Sequence, residues 1–299
     1  MKKRLATSAV ILIVTVGFVL LKMVSSLFFD VFALTISYAC LYETLKAYKK
    51  LEKKPNVMAL YFIPAIQFLI FVLADIKSSI LLSILLAVGL LVYLLTNEIA
   101  TYAKNRKYGL TEPNVSVLNS TLFDETKLTM KIFAYPLLPL SFLFALNHLP
   151  YEIGYIGIIL IFVVAMLTDS TAYLVGRFWG KKKFIPEVSP NKTIAGVVGG
   201  FVGGIVGVLV CYFIFYYTGM FSVLNNFGKG VVVTAFLIIA VVGSYANQLG
   251  DLVASALKRK SGLKDYSNIF PGHGGFMDRV DGLMFVAVVV YTILSLFFV

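Results

Sequence analysis

Residues 255–281 read SALKRKSGLKDYSNIFPGHGGFMDRVD, a polar stretch between apolar runs at about 230–251 and 281–298. Each run approaches the roughly 20 residues that a helix needs to cross a bilayer. A stretch with so many charges cannot lie in lipid, so it must lie at the water boundary between two spans. It therefore predicts a chain that crosses a membrane more than once.

The composition of the whole chain is that of an integral membrane protein. It is 59% hydrophobic and only 14% charged, with a mean hydropathy of +0.89, well above a soluble domain. Apolar stretches near the spanning length occur at about 5–22, 26–45, 57–75, 79–97, 129–147, 152–174, 194–218, 230–251 and 281–298. We therefore expect an all-α polytopic membrane protein with about nine transmembrane helices.

The basic residues predict the orientation of these spans. With a cytoplasmic N-terminus, all of the 26 Lys and Arg residues except Lys22, Lys77 and Lys229 fall on the cytoplasmic side. This asymmetry follows the positive-inside rule and places the C-terminus outside. The net charge of +11 would then attract anionic headgroups and nucleotides. Nucleic acid is not an expected partner, because the charges are spread over short loops and the N-terminus.

Acidic residues lie at one predicted depth, at the cytoplasmic ends of three spans: Asp169, Asp251, Asp278 and Asp281. Acids at a membrane are costly and point to function, although Asp169 could equally form a structural salt bridge. Asp278 and Asp281 are three residues apart, so on a helix they share a face, and Asp251 arrives from the preceding span. Carboxylates without cysteine ligands favour Mg²⁺ over zinc.

The segment PGHGGF, residues 271–276, is a candidate phosphate site. Gly274 and Gly275 allow close backbone approach and offer N–H donors. His273 beside them could contact a phosphate or donate a proton. Arg279 could bind a substrate phosphate or extend to the membrane interface.

The polar stretch resembles the signature of the phosphatidate cytidylyltransferases, also called CDP-diacylglycerol synthases. The residues that carry this resemblance are Ser255, Leu257, Lys258, Arg259, Lys264, Asp265, Ser267, Phe270, Pro271, His273, Gly274, Gly275, Phe276, Asp278, Arg279 and Asp281. The stretches DSTAYLVGRFWGKK from Asp169, SPNKTIAGVVGG from Ser189 and QLGDLVASALKR from Gln248 also resemble the family. Ala195 departs from it, because members commonly have glutamate there. The resemblance predicts a catalytic domain at 128–299 and, at 1–127, helices without a recognisable motif.

The resemblance implies transfer of a cytidylyl group from CTP to phosphatidic acid, which gives CDP-diacylglycerol and pyrophosphate. It implies a multi-pass protein of the cytoplasmic (inner) membrane, with the active site facing the cytoplasm. It implies bound Mg²⁺, and a second cation of undetermined identity is a further candidate. The implied metal ligands, which are also catalytic, are Asp251, Asp278 and Asp281. Lys264 and Arg279 complete the implied catalytic set. The implied nucleotide contacts are Ser189, Lys192, Lys258, Arg259, His273, Gly274 and Gly275.

Alternatives remain open from the sequence. Acids within spans also occur in ion-coupled secondary transporters, but these acids lie at the boundary and no internal repeat is visible. A cytidylyltransferase for another lipid phosphate is the nearest enzyme alternative. The glycine rows at 196, 200, 204 and at 199, 203, 207 predict close helix packing, or a homodimer face on the same helix.

Overall fold

The computed structural model describes residues 2–49, 54–73 and 125–299. The helices of these residues are α1 (Lys2–Leu21), α2 (Ser26–Lys49), α3 (Val57–Leu73), α4 (Glu125–Asn147), α5 (Tyr151–Trp179), α6 (Ile194–Tyr217), α7 (Lys229–Lys260), α8 (Met277–Val280) and α9 (Leu283–Phe298). A short antiparallel hairpin of β1 (Lys183–Ile185) and β2 (Ser189–Thr193) joins α5 to α6. Helices dominate because lipid offers no hydrogen-bond partners to the backbone, and a helix pairs its N–H and C=O groups within one segment.

Each described helix except the short α8 coincides with a predicted span. Helices α2, α4, α5, α6 and α7 are long and apolar enough to cross a membrane, and shorter apolar helices lie at Ala9–Leu21, Val57–Leu73 and Leu283–Phe298. The fourth predicted span, at about 79–97, lies outside the described residues. The prediction of an all-α polytopic membrane protein is confirmed. The orientation of its termini stays a prediction.

Helix α7 continues beyond the predicted end of its span, to Lys260. Its last turns are polar and end in Lys258, Arg259 and Lys260, so water can solvate them while the backbone stays helical. Basic side chains also suit a helix C-terminus. Because the helix is continuous, Asp251, Ser255 and Lys258 follow one another along one face.

Glycines bring α5 and α6 into close contact. A methyl group added at Gly203 would collide with Thr171, and one at Gly199 would collide with Val175. Lipid tails are as apolar as leucine, so helices in a bilayer associate through such close van der Waals packing. The predicted packing role of the glycine rows is confirmed. This face is occupied within one chain, so a homodimer would need another surface.

The β1–β2 hairpin is the one sheet among the described residues, and it precedes α6 directly. Thr193 ends β2 and its Oγ1 accepts a hydrogen bond from the N–H of Gly196 at 3.1 Å, which caps α6. A threonine in this position satisfies an N–H group that the helix leaves unpaired. The hairpin thereby fixes Ser189 and Lys192 at the end of α6.

Polar contacts occur at both ends of the helices. At one end, the Lys22 ammonium donates to Oδ1 of Asn147 at 2.6 Å, and Asp30 contacts His148 at 3.0 Å. These groups are tied to one another, which suits a structural role. The residues that the sequence predicted as functional lie at the opposite end, where α5 and α7 finish.

Candidate active site

A pocket of about 420 Å³ opens between α5, the hairpin, α6 and α7. Its lining includes Asp169, Arg177, Ser189, Lys192, Gln248 and Asp251. Three of the predicted site residues, Ser189, Lys192 and Asp251, therefore share one cavity. Asp169 joins them, and its Oδ1 accepts a hydrogen bond from the Asn247 amide at 2.8 Å. The pocket combines acids with two basic side chains, a mixture that suits a phosphate ligand with a cation.

Lys192 and Asp251 form an ion pair in this pocket. The Lys192 ammonium lies 2.7 Å from Oδ2 of Asp251 and 3.4 Å from the Gln248 carbonyl. Both side chains are partly exposed, at 21% and 34%, so the pair is accessible to a ligand. A phosphate could replace Asp251 as the partner of Lys192 and leave that carboxylate to a cation.

Asp281 reaches the same region because α7 and the start of α9 approach closely. A methyl group at Gly250 would collide with the carbonyl of Asp281, and one at Gly282 would collide with Asn247. Asp281 is 8% exposed, and its Oδ1 accepts the N–H of Gly282 at 2.8 Å. Its charge interacts with those of Asp251, Lys258 and Asp169.

Asp278 instead faces the loop between α7 and α8, residues 261–276, which is called the signature loop below. Its Oδ1 pairs with the Lys258 ammonium at 2.7 Å, and its Oδ2 accepts the N–H groups of Tyr266 and Gly275, each at 2.9 Å. Its side chain is only 4% exposed. Burial raises the pKa of Tyr266 well above its ordinary range, so its hydroxyl stays protonated and donates to the Ala254 carbonyl at 3.2 Å.

The structure does not bring the three predicted metal ligands together. Within residues 2–49, 54–73 and 125–299, no group of three His, Cys, Asp or Glu side chains has the spacing to hold one ion. The helical spacing of Asp278 and Asp281 is as expected, since the backbone stays helical through Asp281. Both oxygens of Asp278 are nevertheless engaged by Lys258 and the loop. The metal role of these acids stays a prediction.

The glycines of the loop accommodate carboxylates of the protein itself. Gly274 has a φ of +80°, which favours glycine, and a side chain there would meet the carboxylate of Asp278. A side chain at Gly275 would collide with Glu43. The N–H of Gly275 already donates to Asp278, so this donor is not offered to a phosphate. Nucleotide binding by these glycines stays a prediction.

The remaining predicted residues lie around the pocket and the signature loop. Arg259 joins them, because its Nε donates to the Val188 carbonyl of the hairpin at 3.2 Å and its Nη1 donates to the Leu263 carbonyl at 3.3 Å. His273 is partly buried in the turn, and its backbone N–H donates to the Phe270 carbonyl at 2.8 Å. Lys264 and Arg279 are exposed, and Arg279 interacts electrostatically with Asp169.

Sequence reasoning missed Glu43, which α2 brings to the signature loop. Its Oε1 accepts the Ser267 hydroxyl at 2.6 Å and its Oε2 accepts the N–H of Met277 at 2.8 Å. A signal was present, because Glu43 is an acid inside the span predicted at 26–45, and such acids point to function. Its partner could not be deduced, since 224 residues separate it from Ser267.

Comparison with known proteins matches a model of the Cytidylyltransferase family to residues 2–297. The phosphatidate cytidylyltransferase of Staphylococcus saprophyticus is 31% identical over 207 residues, which cover 68% of this chain and 75% of that protein. The enzyme of the same name from Bacillus subtilis is 41% identical over 135 residues, covering 45% of this chain and 46% of that protein. The one from Staphylococcus haemolyticus is 40% identical over 125 residues, covering 42% of this chain and 44% of that protein.

Proposed function

The chain belongs to the cytidylyltransferase family, and we propose that it transfers the cytidylyl group of CTP to phosphatidic acid. The products are CDP-diacylglycerol and pyrophosphate. The observation that carries the proposal is the Lys192–Asp251 pair in a pocket beside Asp281. In this arrangement the Lys192 ammonium can bind a phosphate and the carboxylates can bind a divalent metal ion, at one predicted membrane boundary.

The proposed reaction is a displacement at phosphorus. A phosphate oxygen of phosphatidic acid attacks the α-phosphorus of CTP, a new P–O bond forms, and the bond to pyrophosphate breaks. The protein supplies no nucleophile, so its part is to position the substrates and stabilise charge. Lys192, which lies on the hairpin, binds a phosphate of CTP. Arg259 holds the hairpin against the end of α7.

The residues present fit Mg²⁺, which we propose as the cofactor. Mg²⁺ is commonly held by one or two carboxylates, with substrate phosphates and water completing its shell. Asp251 and Asp281 would hold it, and the buried Oδ1 of Asn247, which has no hydrogen-bond partner among the described residues, adds an oxygen nearby. Asp278 would join them only by exchanging its contact with Lys258. Bound there, Mg²⁺ would supply positive charge to balance that of the departing pyrophosphate.

The proposed setting is the cytoplasmic membrane, with the pocket open to the cytoplasm, where CTP is made. The positive-inside distribution of Lys and Arg supports this orientation. Lipid substrate would enter from the bilayer and CTP from water, which suits a pocket at the boundary. A homodimer remains a proposal, and it would have to form away from the glycine rows of α6.

Pyrophosphate release by the purified protein tests this function. We expect release only when CTP, Mg²⁺ and phosphatidic acid are all present, with loss in EDTA and recovery on adding Mg²⁺. Lys192→Ala should lower kcat/KM about a hundredfold, since it removes a charged phosphate contact. Lys229→Ala, an exposed lysine at the opposite end of α7, is the matched control and should behave as wild type. Pyrophosphate release with a polyprenyl phosphate but not with phosphatidic acid would indicate a cytidylyltransferase for another lipid phosphate.

A further inference from the structure

Glu43 is a fully buried acid whose hydrogen bonds, among the described residues, join it to the signature loop and the start of α8. It is 0% exposed. Its Oε1 accepts the Ser267 hydroxyl at 2.6 Å and the N–H of Phe276 at 3.1 Å, and its Oε2 accepts the N–H of Met277 at 2.8 Å. Three donors from two ends of the loop thus converge on one side chain.

A buried carboxylate is unfavourable unless its charge is compensated. Among the ion pairs of the described residues, none includes Glu43. Hydrogen bonds from N–H and O–H donors provide the compensation, and bonds to a charged acceptor are stronger than neutral ones. The loop therefore stabilises the acid, and by the same contacts the acid holds the loop.

The loop is built to receive this acid. Gly275 lies directly against the Glu43 carboxylate, where any side chain would collide with it. On its other side the loop is held by Asp278, which binds Lys258 and the N–H of Gly275. A weaker contact comes from α1, whose Thr7 hydroxyl donates to the Pro271 carbonyl at 3.3 Å.

We propose that Glu43 is a positioning residue that holds residues 267–277 in the shape needed to bind the nucleotide. This inference rests on the proposed function. Glu43 acts through Ser267, Phe276 and Met277, which frame the His273 turn. The N-terminal helices, in which the sequence shows no recognisable motif, thereby take part in building the active site.

Glu43→Gln tests the proposal, because it keeps the size of the side chain and replaces one acceptor oxygen with an NH₂ group. At least one of the three donors then loses its acceptor. We expect the KM for CTP to rise about tenfold, equal to about 1.4 kcal/mol, and the KM for phosphatidic acid to change less than about twofold. Glu43→Asp keeps the charge and should recover part of the CTP affinity.

Glu152→Gln is the matched control. Glu152 makes the same kind of contacts at the opposite end of the molecule, with the Ser222 hydroxyl at 2.9 Å and the Val223 N–H at 2.7 Å. Its loss should lower the melting temperature without changing the KM for CTP. If Glu43→Gln shows only this pattern, Glu43 is structural and the proposal is overturned.

Hydrogen exchange followed by mass spectrometry gives a readout that does not depend on activity. In Glu43→Gln, peptides covering residues 266–277 should exchange about tenfold faster than in wild type, while α6 stays unchanged. Faster exchange in a chain inactive with CTP and phosphatidic acid would support the positioning role and reject the proposed function. Unchanged exchange and KM in an active chain would reject the positioning role. If Glu43→Gln does not fold, Ser267→Ala removes one donor and should shift both readouts in the same direction, and no shift would again reject it.

Discussion

At the residue scale, Asp278 and Asp281 show how surroundings divide similar side chains between tasks. Asp278 has both oxygens engaged, by Lys258 and by two backbone N–H groups. Asp281 accepts a hydrogen bond from its neighbour Gly282, and its charge interacts with that of Asp251. The first is suited to hold a loop, whereas the second has oxygen capacity left for a cation.

Asparagine substitutions should separate these tasks. Asp281→Asn removes charge from the proposed Mg²⁺ site and should lower kcat at least about a hundredfold, with little change in melting temperature. Asp278→Asn leaves the buried Lys258 ammonium without its anionic partner, and breaking such a pair costs about 3 kcal/mol. It should therefore lower the melting temperature as well as turnover. Thermal unfolding monitored by fluorescence measures the change in melting temperature, and pyrophosphate release measures the change in turnover.

The reverse result would exchange the assignments. A wild-type kcat in Asp281→Asn would remove Asp281 from the site. A stable but inactive Asp278→Asn would make Asp278 the metal ligand and would mean that Lys258 leaves it when substrate binds.

The predicted depth of the candidate acids follows from the sequence, whereas their partners do not. Asp251 and Asp281 flank apolar runs, and lipid thickness fixes where such runs end. Whether Asp278 faces a cation or Lys258 depends on the path of the loop between them, which no local pattern determines. The contact of Glu43 with Met277 joins α2 to α8, so it depends on how distant helices pack.

At the element scale, the packing of α5 on α6 sets the walls of the pocket. The pocket lining includes Gly176 of α5 and Gly196 of α6, and a side chain at Gly196 would collide with the Ala172 carbonyl. Small residues therefore do more than join two helices. They hold the Asp169 helix against the hairpin that carries Lys192.

Gly203→Ala should disturb this packing. The new methyl group would overlap the side chain of Thr171, which is β-branched and stiff, so the helices must separate. Overpacking of this kind costs about 1–3 kcal/mol, and we expect a lower melting temperature and lower activity. Gly17→Ala is the control, because Gly17 of α1 has open space around it. A melting temperature equal to that of wild type in Gly203→Ala would contradict the close approach.

Helices and hairpin differ in how far the sequence predicts them. Each helix except the four-residue α8 follows from a long apolar run, but the β1–β2 hairpin is short and carries no alternating apolar pattern. Its position depends on tertiary contacts, which include the Thr193 cap of α6 and the bond from Arg259 to Val188. A sequence shows the residues of such a hairpin without showing what holds them.

At the scale of the whole molecule, the two ends of the helix bundle have different chemistry. One end holds the pocket and the signature loop. The other holds contacts such as Lys22 with Asn147 and Glu152 with Val223, which tie helix ends together. Contacts of α2 with α4 and with α8 also cross the predicted boundary between residues 1–127 and 128–299. The described part of the N-terminal helices therefore packs against the C-terminal ones.

The difference between the ends makes the orientation testable. Lys181 follows α5 near the pocket and Lys229 begins α7 at the other end, and both are exposed. The native cysteines, Cys40 and Cys211, are buried, so a maleimide reagent should react mainly with an introduced thiol. With a cytoplasmic N-terminus, an impermeant maleimide added to intact cells should label Lys229→Cys. It should label Lys181→Cys only after the membrane is opened, because that side carries the excess of basic residues.

Labelling of Lys181→Cys alone in intact cells would show that the protein has the opposite orientation. The pocket would then lie outside, where no cytoplasmic CTP could reach it. Labelling of both from one side would mean that α6 does not cross the membrane, which would overturn the predicted set of spans.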